Sequence, residues 1–216
     1  MSKVTVVIPC FDTRGMVREA VDSAMAQTHR DREVIVVDDG SDEDLCALLG
    51  SREGLTVHRQ GRLGVSAARN MGIALGSGEF VAFLDHDDFW EPDKLEVCVS
   101  LLLAQPRLAA VFHDYTVWDV RTDVRGPSGN SPVPWTSPER LLASLNLHNV
   151  HPSTAVLRRR CLQEVGGFDE SIRRGEDWDL WLRLAERYEA GYVSRRLACV
   201  RLHGGNVSSA ALGDWA

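Results

Sequence analysis

The segment FVAFLDHDD, from Phe80 to Asp88, is the most informative part of this chain for predicting its fold. Its five leading apolar residues are typical of a strand buried on both faces, as in the parallel sheet of an α/β protein. Three carboxylates within four residues follow directly. Because ligands bind at the carboxyl ends of parallel strands, this segment predicts both a fold class and the position of a site.

The chain before this segment alternates two kinds of pattern. Val4–Ile8, Val34–Val37 and Leu55–His58 are short apolar runs, whereas 14–27 and 64–75 place their apolar residues at helical spacing. Strands that alternate with helices predict an α/β fold, with a mostly parallel central sheet flanked by helices and right-handed crossovers.

The second half of the chain lacks this regular alternation. We expect one domain over residues 1–216, with a first half ending near residue 105 and a smaller C-terminal region over about 106–216. Residues 121–137, rich in Gly, Pro and Ser, predict a long mobile loop. The other expected elements are helices at 92–103, 139–145 and 177–186, and strands at 109–120, 153–157 and 192–200.

Composition limits the partners and the compartment. The formal net charge of -7 argues against nucleic-acid or anionic-membrane binding. Five cysteines without a CxxC spacing favour a reducing, cytoplasmic location. The longest apolar run, 99–104, is far shorter than the roughly 20 residues of a membrane span, so any membrane association is expected to be peripheral.

The acid cluster Asp85-His86-Asp87-Asp88 allows two interpretations. Its carboxylates repel one another unless a cation neutralises them, and hard oxygen ligands suit Mn²⁺ or Mg²⁺. A solvated acidic turn explains the short motif equally well. Its position directly after a buried strand favours the metal site.

Three further segments carry groups that could take part in chemistry. Asp39 follows a buried strand and could accept hydrogen bonds from a nucleotide base or ribose, while the neighbouring Ser41 is expected to cap a helix. Glu176 and Asp177 begin a predicted helix, where they either complement its dipole or supply a general base. His203 could bind a metal or a phosphate, or be ordinary polar surface.

Several enzyme classes lack their sequence signatures here. The chain has no G-x-G-x-x-G and no G-x-x-x-x-G-K-[ST], which argues against dinucleotide enzymes and P-loop NTPases. It also lacks the G-x-S-x-G of nucleophile elbows. A nucleotidyltransferase would show a Gly-rich basic loop after the first strand, where this chain has Pro9-Cys10-Phe11-Asp12.

Taken in order, these segments resemble glycosyltransferase family 2, which has the GT-A fold. The resemblance covers nearly the whole chain, and the joint order of its short motifs is specific. The matching segments are 6–12, 24–28, 34–41, 64–72, 83–90, 165–169, 175–184 and 201–208.

The resemblance implies a role for each matching residue. Asp177 corresponds to the catalytic base, with Glu176 beside it. Asp85 and Asp87 correspond to the family's DXD pair, with Asp85 toward the ribose. The implied metal ligands are Asp87, Asp85 and His203, and the implied nucleotide-binding residues are Pro9, Phe11, Asp12, Asp39, Arg69, Asp85 and His86. Asp12 departs from the family's usual Asn, and His86 replaces a smaller residue.

The resemblance also implies an inverting transfer of a sugar from a UDP-sugar, with Mn²⁺ or Mg²⁺ as cofactor, in polysaccharide, glycolipid or natural-product assembly. The acceptor would be a carbohydrate, a lipid-linked sugar or a small molecule. Trp135, His151 and Trp178 could line its binding surface, although helical spacing with Trp181 slightly favours Trp178 as a core residue. The alternatives are a nucleotide-sugar-binding module without turnover and a regulatory protein on the same fold.

Overall fold

The first half of the chain forms a parallel sheet. The computed structural model describes residues 2–13, 15–127 and 150–204. Strand β1 lies between β2 and β4, and β3 lies beyond β2. All three pairings are parallel, and Cys10 at the end of β1 lies opposite Asp38 at the end of β2. The four strands are β1 (Val4–Cys10), β2 (Arg32–Asp38), β3 (Leu55–Arg59) and β4 (Phe80–Phe83).

Helices cover this sheet because their apolar sides match its buried strands. Helix α1 buries Val17, Ala20, Val21 and Ala24 against it. Helix α3 approaches β1 so closely that a Cβ on Gly72 would lie 2.3 Å from a methyl carbon of Val7. The helices are α1 (Val17–Met25), α2 (Leu45–Leu49), α3 (Val65–Leu75) and α4 (Lys94–Ala104).

The second half extends the same sheet with mixed pairings. Strand β8 pairs antiparallel with β4 and β6, while β9 pairs parallel with β6 and antiparallel with β5. Strand β5 (Phe89–Trp90) belongs to the end of the first half. The elements of the second half are β6 (Leu108–Asp119), β7 (Val124–Pro127), a 3₁₀ helix (Pro152–Thr154), β8 (Val156–Arg158), α5 (Arg159–Val165), α6 (Glu176–Ala185) and β9 (Glu189–Leu202).

The predicted α/β fold is confirmed, with three local corrections. Ser41 does not cap α2, because Asp44 does so by accepting a hydrogen bond from the Ala47 N–H at 3.0 Å. The loop expected at 121–137 contains strand β7, which the long strand β6 pairs with and stabilises. The strand expected at 153–157 begins as the 3₁₀ helix.

Two of the sequence predictions concern residues that the structure does not describe. The helix expected at 139–145 and Trp135 lie outside the described residues. Helix α5 was not predicted, because its seven residues contain too few turns to show a helical period. Within the described ranges, no helix is long and apolar enough to cross a membrane.

Candidate functional site

A cleft of about 780 Å³ opens at the carboxyl ends of the parallel strands. The first half contributes the residues that follow β1, β2 and β4, and the second half contributes the start of α6 and the end of β9. The fold thus brings together segments far apart in sequence. Every predicted site residue within the described ranges lines this cleft: Pro9, Phe11, Asp12, Asp39, Arg69, Asp85, His86, Asp87, His151, Glu176, Asp177, Trp178 and His203.

Within the acid cluster, Asp88 has a supporting position. Its side chain is buried, and its two carboxylate oxygens accept hydrogen bonds from the Ser153 hydroxyl at 2.6 Å and the Arg201 N–H at 3.1 Å. Burial, reinforced by the charges of Asp87 and Asp85, raises the pKa of Asp88 well above its ordinary value. Asp88 therefore ties the turn to the second half of the chain and leaves Asp85 and Asp87 with the more exposed carboxylates.

Ser153 holds the same turn through hydrogen bonds to Asp85 and Asp88. No sequence pattern predicted it as a site residue. Its hydroxyl oxygen accepts a hydrogen bond from the Asp85 N–H at 3.1 Å while donating to Asp88. Its carbonyl accepts a hydrogen bond from the Trp90 indole N–H at 2.8 Å. The buried 3₁₀ helix thus holds the backbone from which Asp85 and Asp87 project.

Asp87 and His203 meet across the cleft. The His203 Nε2 lies 2.9 Å from an Asp87 carboxylate oxygen, because β9 runs past the acid turn and ends at Leu202. Within the described ranges, no three His, Cys, Asp or Glu side chains group closely enough to hold a metal by themselves. Asp87 and His203 could supply two ligands to a divalent cation whose remaining ligands come from elsewhere.

Arg69 joins the two acidic segments. Its buried guanidinium donates to Asp85 at 2.9 Å and to Glu176 at 2.8 Å. Burial opposes the charge of Arg69, but the carboxylates of Asp85 and Glu176 prevail and raise its pKa. Arg69 therefore fixes the turn Asp85–Asp88 relative to the start of α6.

This ion pair separates the roles of Glu176 and Asp177. Glu176 is engaged by Arg69, whereas the hydrogen bond recorded at the Asp177 carboxylate comes from the adjacent Trp178 N–H at 2.9 Å. Burial, together with the charge of Glu176, raises the pKa of Asp177 to about 6. A carboxyl group that titrates near neutrality and lines a cleft is suited to general-base chemistry.

Asp39 organises the far end of the cleft. Its carboxylate accepts hydrogen bonds from the Gln60 side chain and from the N–H groups of Leu63 and Gly64, each at 2.8 Å. It therefore holds the connection between β3 and α3, in addition to lining the cleft. Its carboxylate shapes the backbone around the predicted nucleotide-binding end.

Asp12 adopts the left-handed conformation at φ 45°, and its N–H donates to the Ser41 hydroxyl at 3.1 Å. Asn and Asp both tolerate positive φ, so the departure from the family's usual Asn preserves this backbone. Next to it, the Phe11 ring packs under the Arg62 guanidinium at 4.0 Å. The loop after β1 is thereby fixed at the cleft wall.

The two acceptor candidates within the described residues differ in their surroundings. Trp178 is 37% exposed at the cleft, so the slightly favoured interpretation of it as a core residue is wrong. The core residue is Trp181, which is fully buried. His151 stacks edge-on against Tyr115 with ring centroids 5.0 Å apart, and burial lowers its pKa.

Sequence patterns also missed Arg173 and Arg174, which are exposed and line the cleft. The only available signal was their position as a basic pair immediately before Gly175, the N-cap of α6 at φ 78°. Two adjacent arginines are common on surfaces, so their position in the fold was needed to place them at the site.

Comparison with known families agrees with this geometry. The model of the family described as Glycosyl transferase family 2 matches residues 5–166. The chain belongs to this family. A second model, Glycosyltransferase like family 2, matches residues 138–207. The resemblance inferred from the short motifs is thereby confirmed.

The chain is similar to some known proteins in sequence and to others in fold. An uncharacterized glycosyltransferase of Rickettsia prowazekii is 30% identical, covering 97% of this chain and 67% of that protein. Chondroitin synthase of Escherichia coli is 30% identical over 95% of this chain and 30% of its own length. The crystal structure of S. aureus TarS 1-349 in complex with UDP-GlcNAc superposes with a TM-score of 0.79 at 19% identity, covering 96% of this chain and 60% of that one.

The chain is shorter than these proteins. It spans between 21% and 67% of the length of the curated relatives it matches. The similarity to TarS is a similarity of fold, and its GT-A architecture corresponds to the sheet described above.

Proposed function

We propose that this chain catalyses inverting transfer of a sugar from a UDP-sugar to an acceptor hydroxyl. The observation that carries the proposal is the position of Asp177, a carboxyl group with its pKa raised to about 6, in the same cleft as the acid turn. Membership of Glycosyl transferase family 2 supports the reaction class. TarS, a protein of the same fold, has been crystallised with UDP-GlcNAc, which supports a UDP-sugar donor.

In this proposal, the first half of the chain binds the nucleotide. Phe11, Asp12 and Asp39 line the end of the cleft formed after β1 and β2, where parallel sheets bind their ligands. Arg69 and Ser153 hold Asp85, which would face the ribose. The diphosphate would then lie beside the neighbouring Asp87.

Asp87 and His203 would hold Mn²⁺ or Mg²⁺, which when bound neutralises charge on the leaving diphosphate. Asp177 accepts the proton of the acceptor hydroxyl. The hydroxyl oxygen attacks the anomeric carbon from the side opposite the diphosphate, and UDP leaves. A single base acting in one in-line displacement inverts the anomeric configuration. Glu176 cannot easily replace it, because Arg69 already engages its carboxylate.

Replacing Asp177 by Asn tests the assignment of the base. We expect turnover, measured as UDP release from a UDP-sugar that supports activity in the wild type, to fall by about 10²- to 10⁴-fold, the usual contribution of general-base catalysis. The affinity for UDP in the presence of Mn²⁺, measured by calorimetry, should stay within about twofold because the carboxylate acts on the acceptor side.

Asp179→Asn is a matched control, since Asp179 lies on the same helix but pairs with Arg183 outside the cleft. This variant should keep wild-type turnover. Normal turnover in Asp177→Asn would remove Asp177 from the role of base. Failure of the wild type to bind UDP would contradict the proposed function as a whole.

A further inference from the structure

Arg173 and Arg174 are unusual among the charged residues of the cleft. Both are exposed, both line the cleft, and neither guanidinium has a hydrogen-bond or ion-pair partner among the residues that the structure describes. Most other charged side chains around them are acids: Asp12, Asp39, Asp85, Asp87, Asp88, Glu176 and Asp177. Since neither arginine pairs with any of these acids or with another described residue, both guanidinium groups are available to a ligand.

The other basic side chains of the cleft contact groups of the protein itself. Arg69 is buried and shared between Asp85 and Glu176. His203 contacts Asp87, and the ring of His151 packs edge-on against Tyr115. Among these groups, the positive charge that a ligand could use therefore lies with the arginine pair.

The arginine pair lies next to the proposed base. Arg174 directly precedes Gly175, and both Asp177 and the exposed Trp178 follow within four residues. An exposed aromatic face suits the C–H groups of a sugar, and a guanidinium group binds a carboxylate or phosphate through paired hydrogen bonds. This segment therefore combines a sugar-binding surface, an oxyanion-binding surface and a base.

We propose that the acceptor is an anionic saccharide whose carboxylate or phosphate group binds Arg173 and Arg174 while its attacking hydroxyl lies at Asp177. This inference rests on the proposed glycosyl transfer and specifies its acceptor. An anionic acceptor would otherwise be repelled by the carboxylates of the cleft, because like charges repel strongly where water is partly excluded. The positive charges of Arg173 and Arg174 would offset this repulsion for an acceptor that approaches Asp177.

The test measures the binding of short oligosaccharides to the protein saturated with UDP and Mn²⁺. One probe ends in a hexuronate, one is built of sugar phosphates and one is neutral chito-oligosaccharide. We expect at least one anionic probe to bind the wild type about tenfold more tightly than the neutral probe, and its identity distinguishes carboxylate from phosphate. The double variant Arg173→Gln/Arg174→Gln should lose this preference, because hydrogen bonds to charged groups contribute about tenfold or more in affinity.

Two further double variants make the comparison specific. Arg173→Lys/Arg174→Lys keeps the charge but not the paired geometry, and should retain part of the preference. Arg30→Gln/Arg160→Gln removes the same charge from exposed positions that do not line the cleft, and should retain all of it.

Equal or tighter binding of the neutral probe by the wild type would overturn the inference. Weaker UDP binding by the Gln variant, with its anionic preference intact, would assign the arginines to the donor diphosphate and also overturn it. Both results presuppose that the wild type binds UDP, so they are distinguishable from a failure of the proposed function.

Discussion

The raised pKa of Asp177 makes the stability of the folded protein depend on pH. Its folded-state pKa of about 6 lies above the ordinary value of 3.8, so the folded protein holds that proton more tightly than the unfolded chain does. Because the folded state binds this proton more tightly than the unfolded state, the protonated carboxyl stabilises the fold at low pH. This stabilisation is lost as the pH rises through about 6. At neutral pH the ionised carboxylate of Asp177 lowers the free energy of unfolding. A general base must nevertheless be ionised in order to accept a proton.

Asp177→Asn should therefore stabilise the protein only where the wild-type carboxyl is ionised. At pH 8 we expect the free energy of unfolding to rise by about 3 kcal/mol, the order of magnitude given by a pKa raised from 3.8 to about 6. Near pH 3.5 the variant and the wild type should be equally stable. Urea unfolding at both values measures the difference, and an equal gain at both would show that the charge is not its cause.

At the scale of elements, the 3₁₀ helix Pro152–Thr154 gives the acid turn its shape. The Ser153 hydroxyl accepts from the Asp85 N–H and donates to Asp88, so one short element from the second half orients carboxylates that follow β4 in the first. Groups behind a metal ligand commonly determine its orientation and affect metal affinity. Ser153 is thus a positioning residue for Asp85 and Asp87.

Ser153→Ala should weaken Mn²⁺-dependent binding of UDP by about tenfold, because the turn loses the hydrogen bonds that hold it. UDP binding without metal should change little, since the contacts that line the nucleotide end remain. Calorimetry with and without Mn²⁺ separates the two effects.

Thr154→Ala is the matched control for the 3₁₀ helix. It removes a hydroxyl from the same helix whose hydrogen bond, to the His151 carbonyl at 2.8 Å, does not reach the acid turn. An equal loss in both variants would indicate general disruption of the helix rather than positioning of the turn.

In the whole molecule, the two halves share one sheet, and both contribute to the two larger hydrophobic clusters. Strand β8 pairs with β4, and the Arg159 guanidinium donates to the Thr5 hydroxyl of β1 at 2.8 Å. The fully buried Lys94 donates to the Ala155 carbonyl at 3.3 Å, across the predicted boundary near residue 105. A single hydrophobic cluster extends from Val4 to Val200.

This continuity predicts that the two halves fold together. A fragment of residues 1–105 should fail to fold stably, because it leaves one side of β4 unpaired and exposes the apolar surface that the second half covers. Circular dichroism during urea unfolding should show one cooperative transition for the full chain and none for the fragment. A sharp transition in the fragment would contradict a single folding unit.

The local patterns of the sequence predicted much of the fold. The apolar runs at 4–8, 34–37 and 80–84 became buried parallel strands, because burial on both faces of a sheet requires continuous apolar residues. Strand ends also located Asp39 and Asp85, since parallel strands direct their carboxyl ends to one edge. The family resemblance supplied Asp177 and His203, which local patterns indicated only weakly.

Periodicity and motif order are local properties of the chain, so the amino-acid sequence was enough to predict the fold class, the family and the residue types available for chemistry. How those residues are used could be seen only in the folded protein. Whether Glu176 or Asp177 keeps its carboxylate available depends on Arg69, over one hundred residues away, and the exposure of Trp178 depends on how α6 packs. Burial and pairing between distant segments are properties of the folded chain, so no local pattern in the sequence could show them.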